Sequence, residues 1–195
     1  MILDNEKEIK RKEAEAKILS DLADRGIKTS PKEKTTRPDK INYYLNIAEV
    51  VASRSTCLRK NWGAVVVKND NIVSTGYNGA PRGRKNCVDI GSCIREELNI
   101  PRGERYELCR SVHAEANAII SASGAELIDS DLYLVGMENN GDYVHNPCSC
   151  SMCKRLIINA GIKKVHIRID KEQFKSYLVR DWVYDDESLA GTKGY

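Results

Sequence analysis

Two short segments, a His-x-Glu and a Cys-x-x-Cys, constrain the fold of this chain more than any other feature. His113 and Glu115 come just before an apolar run, and Cys150 and Cys153 lie much further along the chain. One imidazole and two thiolates are typical ligands of a catalytic zinc, whose fourth tetrahedral position stays open for water. Because these ligands are distant in sequence, the fold must bring the starts of two helices to one point.

Glu115 is the acidic residue of this pattern that zinc does not need as a ligand. Two residues after a histidine ligand, its carboxylate can reach the attacking water without binding the metal, which suits a general acid/base. Cys150 and Cys153 stand three apart, so on a helix their sulfurs share a face, and the amide dipoles of a first turn favour thiolate. The alternative is a closed structural zinc, which needs a fourth protein ligand and leaves Glu115 as a solvated carboxylate.

Composition and charge narrow the class of protein. A chain of 195 residues supports one domain with an appendage, and 41% apolar with 30% charged residues indicates a globular protein. The net charge of +3 gives no argument for a nucleic-acid partner. The start, Met1-Ile2-Leu3-Asp4, does not resemble a secretory signal, and no apolar run reaches membrane-spanning length. We therefore expect a cytoplasmic protein without a membrane partner, in which the seven cysteines bind metal more readily than they form disulfides.

The pattern of the chain predicts two regions. Residues 1–39 form a charged helical extension and linker, since residues 6–19 are rich in helix formers and Pro31 and Pro38 interrupt the stretch after them. Residues 40–195 form the zinc-dependent domain. It is predicted to contain a helix at 41–53, strands at 62–67 and 72–76 joined by a turn at 69–71, a helix from His113 ended by Gly124, a strand at 132–136, a helix from Cys150 ended by Gly161, and a strand at 164–169. This order predicts an α/β protein, a three-layer α/β/α sandwich with a mixed central sheet.

The two motifs at the starts of successive helices resemble the cytidine-deaminase-like fold. Within that fold, the segments at 76–83 (GYNGAPRG), 113–119 (HAEANAI) and 156–162 (LIINAGI) are similar to deoxycytidylate (dCMP) deaminases. The resemblance covers roughly residues 41–169. It implies zinc-dependent hydrolysis of dCMP to dUMP and ammonia, with Glu115 moving protons from the attacking water to N3 and to the departing amine.

The resemblance also implies binding roles for residues outside the zinc ligands. Asn78 matches an asparagine that contacts the sugar, and the Ala114 backbone matches a contact to the base. A regulatory nucleoside triphosphate, with Mg²⁺, is expected at a loop that includes Gly79, Pro81, Arg82 and Gly83, in a homo-oligomer that is often a hexamer. No residue identifies the phosphate clamp of the nucleotide substrate, for which the candidates are Arg82, Arg84, Lys85 and Arg110.

Four further cysteines are expected to hold a second, structural zinc. Similar enzymes build such a site from positions that match Cys57 and Cys87, and Cys93 and Cys109 would complete a closed set of four thiolates. Free buried thiols are the alternative.

The chain departs from the Pro-Cys-x-x-Cys of the family. If Cys148 were the first ligand, the second would fall at Ser151, and a hydroxyl is a poor zinc ligand beside a thiolate. Cys150 and Cys153 keep the spacing and the distance to the next glycine, so Cys148 is spare and Ser149 replaces the usual proline.

The sequence leaves two other functions open. Met152 before Cys153 is also found in tRNA adenosine deaminases, although that family lacks a long cysteine-bearing insertion before His-Ala-Glu. A non-catalytic zinc protein that binds a nucleotide is the other alternative, and it would have no use for an acid at Glu115.

Overall fold

The computed structural model describes residues 13, 14, 17, 37–101 and 103–185. The chain divides into two compact units, residues 1–37 and 38–195. The predicted N-terminal helix lies largely outside the described residues, of which Glu13, Ala14 and Lys17 are helical and exposed. The predicted linker also lies mostly outside them. The second unit contains both motifs and the strands of the described residues.

The second unit contains both strands and helices. Its elements are α1 (Lys40–Ala52), β1 (Lys60–Lys68), β2 (Asn71–Tyr77), α2 (Cys87–Ile90), α3 (Ile94–Glu97), a 3₁₀ turn (Tyr106–Leu108), α4 (Ala114–Ile120), α5 (Gly124–Leu127), β3 (Asp131–Glu138), α6 (Ser151–Asn159), β4 (Lys164–Arg168), β5 (Phe174–Leu178) and α7 (Val179–Asp185).

The five strands form one mixed sheet in the order β2-β1-β3-β4-β5. Strand β1 is antiparallel to both β2 and β3, β3 is parallel to β4, and β4 is antiparallel to β5. Side chains of a strand alternate between the two faces of its sheet, and β1 shows this directly. Ala64 and Val66 pack in the cluster under α4, α6 and α7, whereas Val65 and Val67 pack in the cluster under α1. The predicted three-layer α/β/α sandwich is confirmed.

Local sequence explains where several elements begin. The Asp39 carboxylate caps α1, accepting hydrogen bonds from the backbone N–H groups of Ile41 and Asn42 at 2.9 and 3.0 Å. The turn between β1 and β2 places Asn69 and Asp70 at φ values of 50° and 65°. Positive φ at both central residues matches the twist of a tight hairpin, and asparagine and aspartate tolerate it better than most residues. The predicted hairpin is therefore present.

The prediction that Gly124 ends the helix after His113 is wrong. Helix α4 stops at Ile120, and Gly124 is the first residue of the separate helix α5. The cause is a capping box, in which Ser123 caps α5 and the Glu126 carboxylate accepts a hydrogen bond from the Ser123 backbone at 3.0 Å. Strand β5 and helix α7 are absent from the sequence prediction, and they extend the sheet and cover one of its faces.

The described residues contain no helix that combines the length and the apolar character needed to cross a membrane.

Candidate active site

Helix α4 is held directly on strand β2. A Cβ atom at Gly76 would lie 2.4 Å from the Ala114 carbonyl oxygen and 2.3 Å from the Ala118 nitrogen, so only glycine permits this approach. The Ser74 hydroxyl donates to the Ala118 carbonyl at 2.8 Å, and the Asn117 amide donates to the Tyr77 carbonyl at 2.7 Å. These contacts fix the start of the helix, where His113 is the N-cap.

Helix α6 brings the second motif to the same place. It connects the parallel neighbours β3 and β4 and packs against α4. Cys150 is the N-cap of α6, and Cys153 is a buried residue of its first turn. The expected convergence of two helix N-termini is thus present.

Cys150, Cys153 and His113 meet where these two helices begin. The Cys150 and Cys153 sulfurs each lie 3.4 Å from the Nδ1 atom of His113. Among the residues that the structure describes, these three form the one set of His, Cys, Asp or Glu ligand atoms that all lie within 4.8 Å of one another.

This spacing fits a tetrahedral zinc ion. With bonds of roughly 2.0–2.1 Å to nitrogen and 2.3 Å to sulfur, tetrahedral angles separate the two kinds of ligand by about 3.5 Å. The observed separations of 3.4 Å agree with that value. Three protein ligands leave the fourth position open, as a catalytic site requires.

The electrostatics of the ligands also favour metal binding. The Cys153 thiol donates to the Cys150 sulfur and, against the opposing effect of burial, lowers the pKa of Cys150 to about 4. The same hydrogen bond, with burial, raises the pKa of Cys153. Burial lowers the pKa of His113, but its contact with Cys150 and the charge of Glu115 outweigh this and raise it overall. The pair of thiols therefore shares a proton that zinc binding would displace.

Glu115 is buried beside the three ligands and is not one of them. Its side chain is only 5% exposed, and burial raises the pKa of its carboxyl group, an effect that the neighbouring His113 partly opposes. The hydroxyl of Ser149 lies close enough to lower this pKa a little, although the two groups do not meet in full hydrogen-bond geometry. Because its pKa is raised, this carboxylate is a stronger proton acceptor than that of an exposed glutamate.

An open cavity of about 1720 Å³ leads to this centre. His113, Glu115, Ala114 and Asn78 all line it, so the two predicted substrate-contacting residues share one cavity with the predicted metal centre. The Asn78 side chain is nearly buried, accepting from the Trp62 backbone N–H at 2.7 Å and donating to the Lys60 carbonyl at 2.9 Å. Its amide is therefore held rigidly, with one N–H and one lone pair still available to a ligand.

The predicted effector loop is separate from the cavity. Gly79 is buried and pairs with Val112 through two backbone hydrogen bonds, whereas Pro81, Arg82 and Gly83 are exposed. None of these loop residues lines the cavity.

The four cysteines of the predicted second zinc site, Cys57, Cys87, Cys93 and Cys109, line the same cavity. Burial raises the pKa of Cys87, and the neighbouring thiols of Cys57, Cys109 and Cys93 raise it further, so the four are near one another. They do not include three sulfurs that all lie within 4.8 Å of one another. The site thus differs from the compact set formed by His113, Cys150 and Cys153.

Cys148, by contrast, is exposed. Its sulfur does not contact Nδ1 of His113, whereas the sulfurs of Cys150 and Cys153 do. Ser151, the alternative second ligand, is the first residue of helix α6.

Sequence reasoning does not identify Arg95 and Tyr106 in the insertion before His113. Arg95 is 3% exposed and donates to the carbonyls of Pro101, Glu104 and Arg105, while its guanidinium lies 4.8 Å from the centre of the Tyr106 ring. Tyr106 in turn contacts His113 edge-on, with ring centres 4.9 Å apart. No spacing in the sequence indicates these contacts, because both residues belong to short one-turn segments of the insertion.

Comparison with known proteins agrees with this geometry. The family model described as the cytidine and deoxycytidylate deaminase zinc-binding region matches residues 38–169. The chain is 34% identical over 129 residues to the deoxycytidylate deaminase of Schizosaccharomyces pombe, covering 66% of this chain and 37% of that protein. It is 38% identical over 135 residues to the deoxycytidylate deaminase of Mycobacterium phage D29, covering 67% of this chain and 94% of that protein. A solved dCMP deaminase from the cyanophage S-TIM5 is 29% identical with a TM-score of 0.46, covering 69% of this chain and 86% of that chain.

The chain spans well under half the length of the fission yeast relative but nearly all of the phage D29 relative. The matched region contains both motifs and every strand from β1 to β4. The chain therefore belongs to the zinc-binding cytidine and deoxycytidylate deaminase family.

Proposed function

We propose that this protein catalyses the zinc-dependent hydrolytic deamination of dCMP to dUMP and ammonia. The observation that carries the proposal is a buried carboxyl group, Glu115, beside a His/Cys/Cys set with tetrahedral spacing at the end of an open cavity. Relatives that bear the name deoxycytidylate deaminase support dCMP as the substrate.

His113, Cys150 and Cys153 would hold the zinc, which, when bound, acidifies the attacking water. Glu115 then acts as the proton carrier. Its buried carboxylate accepts one proton from that water as the water oxygen attacks C4, and passes this proton to N3 of the pyrimidine. It then takes the second proton from the hydroxyl group now on C4 and delivers it to the amino group, which leaves as ammonia when the C4–N bond breaks. The raised pKa of Glu115, caused by burial, suits a group that must both accept and donate at neutral pH.

The cavity wall supports a nucleotide substrate. We assign Asn78 to the sugar and the Ala114 backbone to the base. Of the four candidates for the phosphate clamp, Arg84 and Arg110 line the cavity and Arg82 and Lys85 do not. Lys154 and Arg155 of α6 line it as well. Four more cations line the cavity, of which Arg59, Lys60 and Arg105 form ion pairs with glutamates and Arg95 donates to three carbonyls. The proposed clamp is drawn from Arg84, Arg110, Lys154 and Arg155.

We also propose a structural zinc at Cys57, Cys87, Cys93 and Cys109. The proximity of their four thiols supports it, and a metal that binds all four sulfurs would draw them together. Such a zinc would tie the insertion that carries Arg95 and Tyr106 to the loop before β1.

The remaining assignments concern the whole protein. We propose that residues 40–195 form the deaminase domain and residues 1–39 an extension, and that the protein is a cytoplasmic homo-oligomer. A regulatory nucleoside triphosphate with Mg²⁺ is proposed at the exposed loop of Pro81, Arg82 and Gly83.

Ammonia release from four substrates tests the proposed activity. The purified protein would be incubated with dCMP, CMP, cytidine and tRNA under the same conditions. We expect the highest kcat/KM for dCMP. Equal kcat/KM for cytidine and dCMP would contradict a nucleotide substrate, and release from tRNA alone would indicate adenosine deamination. No release from any of the four would indicate a non-catalytic zinc protein.

A further inference from the structure

Ser149 is a buried serine whose hydroxyl group lies near the Glu115 carboxyl group but meets no atom of the described residues in full hydrogen-bond geometry. The residue is 3% exposed, directly precedes the ligand Cys150, and lines the cavity next to Glu115. A buried hydroxyl without a partner costs free energy, because it has given up its bonds to water. Such a group in a binding cavity indicates that a ligand completes its bonding.

The other buried serines of the described residues show that this is an exception. The Ser74 hydroxyl donates to the Ala118 carbonyl at 2.8 Å, and the Ser130 hydroxyl donates to the Leu127 carbonyl at 2.7 Å. Both therefore serve the fold. Ser149 is the buried serine that faces the cavity, and it has no corresponding bond.

We propose that the Ser149 hydroxyl binds the substituent at position 4 of the pyrimidine ring. The inference rests on the proposed dCMP deaminase activity and adds a substrate contact to it. Position 4 is the carbon at which the reaction occurs, so it must lie beside Glu115 and the ligands His113 and Cys150. Ser149 is adjacent to both Glu115 and Cys150, which places its hydroxyl within the same part of the cavity.

A hydroxyl group suits this position because it is both a donor and an acceptor. The amino group of dCMP would donate an N–H to the Ser149 oxygen. The carbonyl oxygen that replaces the amino group in dUMP would accept the Ser149 O–H. Rotation of the hydroxyl hydrogen therefore allows Ser149 to hydrogen-bond with both the substrate and the product. The serine takes part in no covalent step.

The test compares S149A with S130A, which removes a buried serine hydroxyl just before strand β3 as a matched control. The affinity of the zinc-loaded proteins for dUMP would be measured by calorimetry, together with zinc content, unfolding in urea and the KM for dCMP. We expect S149A to keep its zinc, to be at least as stable as the wild type, and to bind dUMP about 3- to 10-fold more weakly, with a similar rise in KM. S130A should show the opposite pattern, with lower stability and unchanged dUMP affinity.

Unchanged dUMP affinity in S149A would overturn the inference, and so would loss of zinc or a loss of stability as large as in S130A, since these would show a structural role. A wild-type protein that deaminates dCMP and binds dUMP, with S149A unaffected, would leave the proposed function intact and contradict only the serine contact. A wild-type protein that neither turns over dCMP nor binds dUMP would contradict the proposed function, and this inference with it.

Discussion

The contact between Gly76 and helix α4 allows the position of the catalytic helix to be tested by adding one carbon atom. In a Gly76→Ala variant, the new Cβ would lie 2.3 Å from the Ala118 nitrogen and 2.4 Å from the Ala114 carbonyl oxygen. Ordinary van der Waals contacts begin at 3.4 Å, and both obstructing atoms belong to backbone rather than to a flexible side chain. Helix α4 must therefore move away from β2 by about 1 Å.

This displacement has two measurable costs. Overpacking of this kind lowers the free energy of unfolding by about 1–3 kcal/mol. Since His113 and Glu115 sit at the start of the same helix, an error of about 1 Å in their positions should lower kcat/KM by about 100-fold. The loss of activity should thus exceed what partial unfolding explains.

Gly124→Ala is the matched control, because a Cβ at Gly124 meets nothing within 4 Å. We expect this variant to be as stable as the wild type or slightly more so, since alanine restricts the unfolded chain. Urea unfolding and steady-state deamination of dCMP would be measured for both variants. A Gly76→Ala variant with wild-type stability and kcat/KM would refute the idea that glycine sets the position of α4.

Three further predictions concern the site itself. Glu115→Gln should retain zinc and the fold while losing about 10²- to 10⁴-fold or more in kcat, and near wild-type activity would exclude the carboxyl group as proton carrier. Cys148→Ser should retain the catalytic zinc and most activity. Cys150→Ser and Cys153→Ser should each lose the zinc, as measured by metal analysis, and the activity with it, because the two remaining ligands hold zinc too weakly. The opposite result for Cys148 and Cys150 would shift the ligand register. Metal analysis of the wild type should find two zinc ions per chain and Cys87→Ala should lose one of them, whereas a single zinc with full activity would remove the second site.

Much of the fold can be predicted from local sequence signals. The apolar strands β1 and β3, the Asn69-Asp70 turn and the helix start at His113 all carry strong patterns. The end of α4 differs from its prediction because Gly124 resembles a stop signal, although Ser123 and Glu126 form a capping box that marks a new start. Strand β5 escapes prediction because its middle residues, Lys175 and Ser176, are polar and exposed, as in many edge strands.

The residues of the candidate site also fall into those that the sequence predicts and those that it does not. Within each motif, His113 with Glu115 and Cys150 with Cys153, the residues lie at fixed short spacings, so the sequence identifies them. The convergence of the two motifs is expected from the resemblance to a known fold. Arg95, Tyr106 and Ser149 have no such spacing, because their roles depend on burial and on contacts between segments that no regular pattern connects. Only the folded structure shows that the buried Ser149 hydroxyl meets no described residue in full hydrogen-bond geometry and that Tyr106 packs on His113.

The central claim is that a zinc at His113, Cys150 and Cys153 is required for deamination of dCMP. Its most direct test is to remove all metal with a chelator, confirm by metal analysis that none remains, and measure ammonia release from dCMP while zinc is returned. We expect no deamination by the metal-free protein and recovery of activity as zinc is restored, with no recovery in Cys150→Ser. Deamination of dCMP by protein shown to contain no metal would contradict the claim.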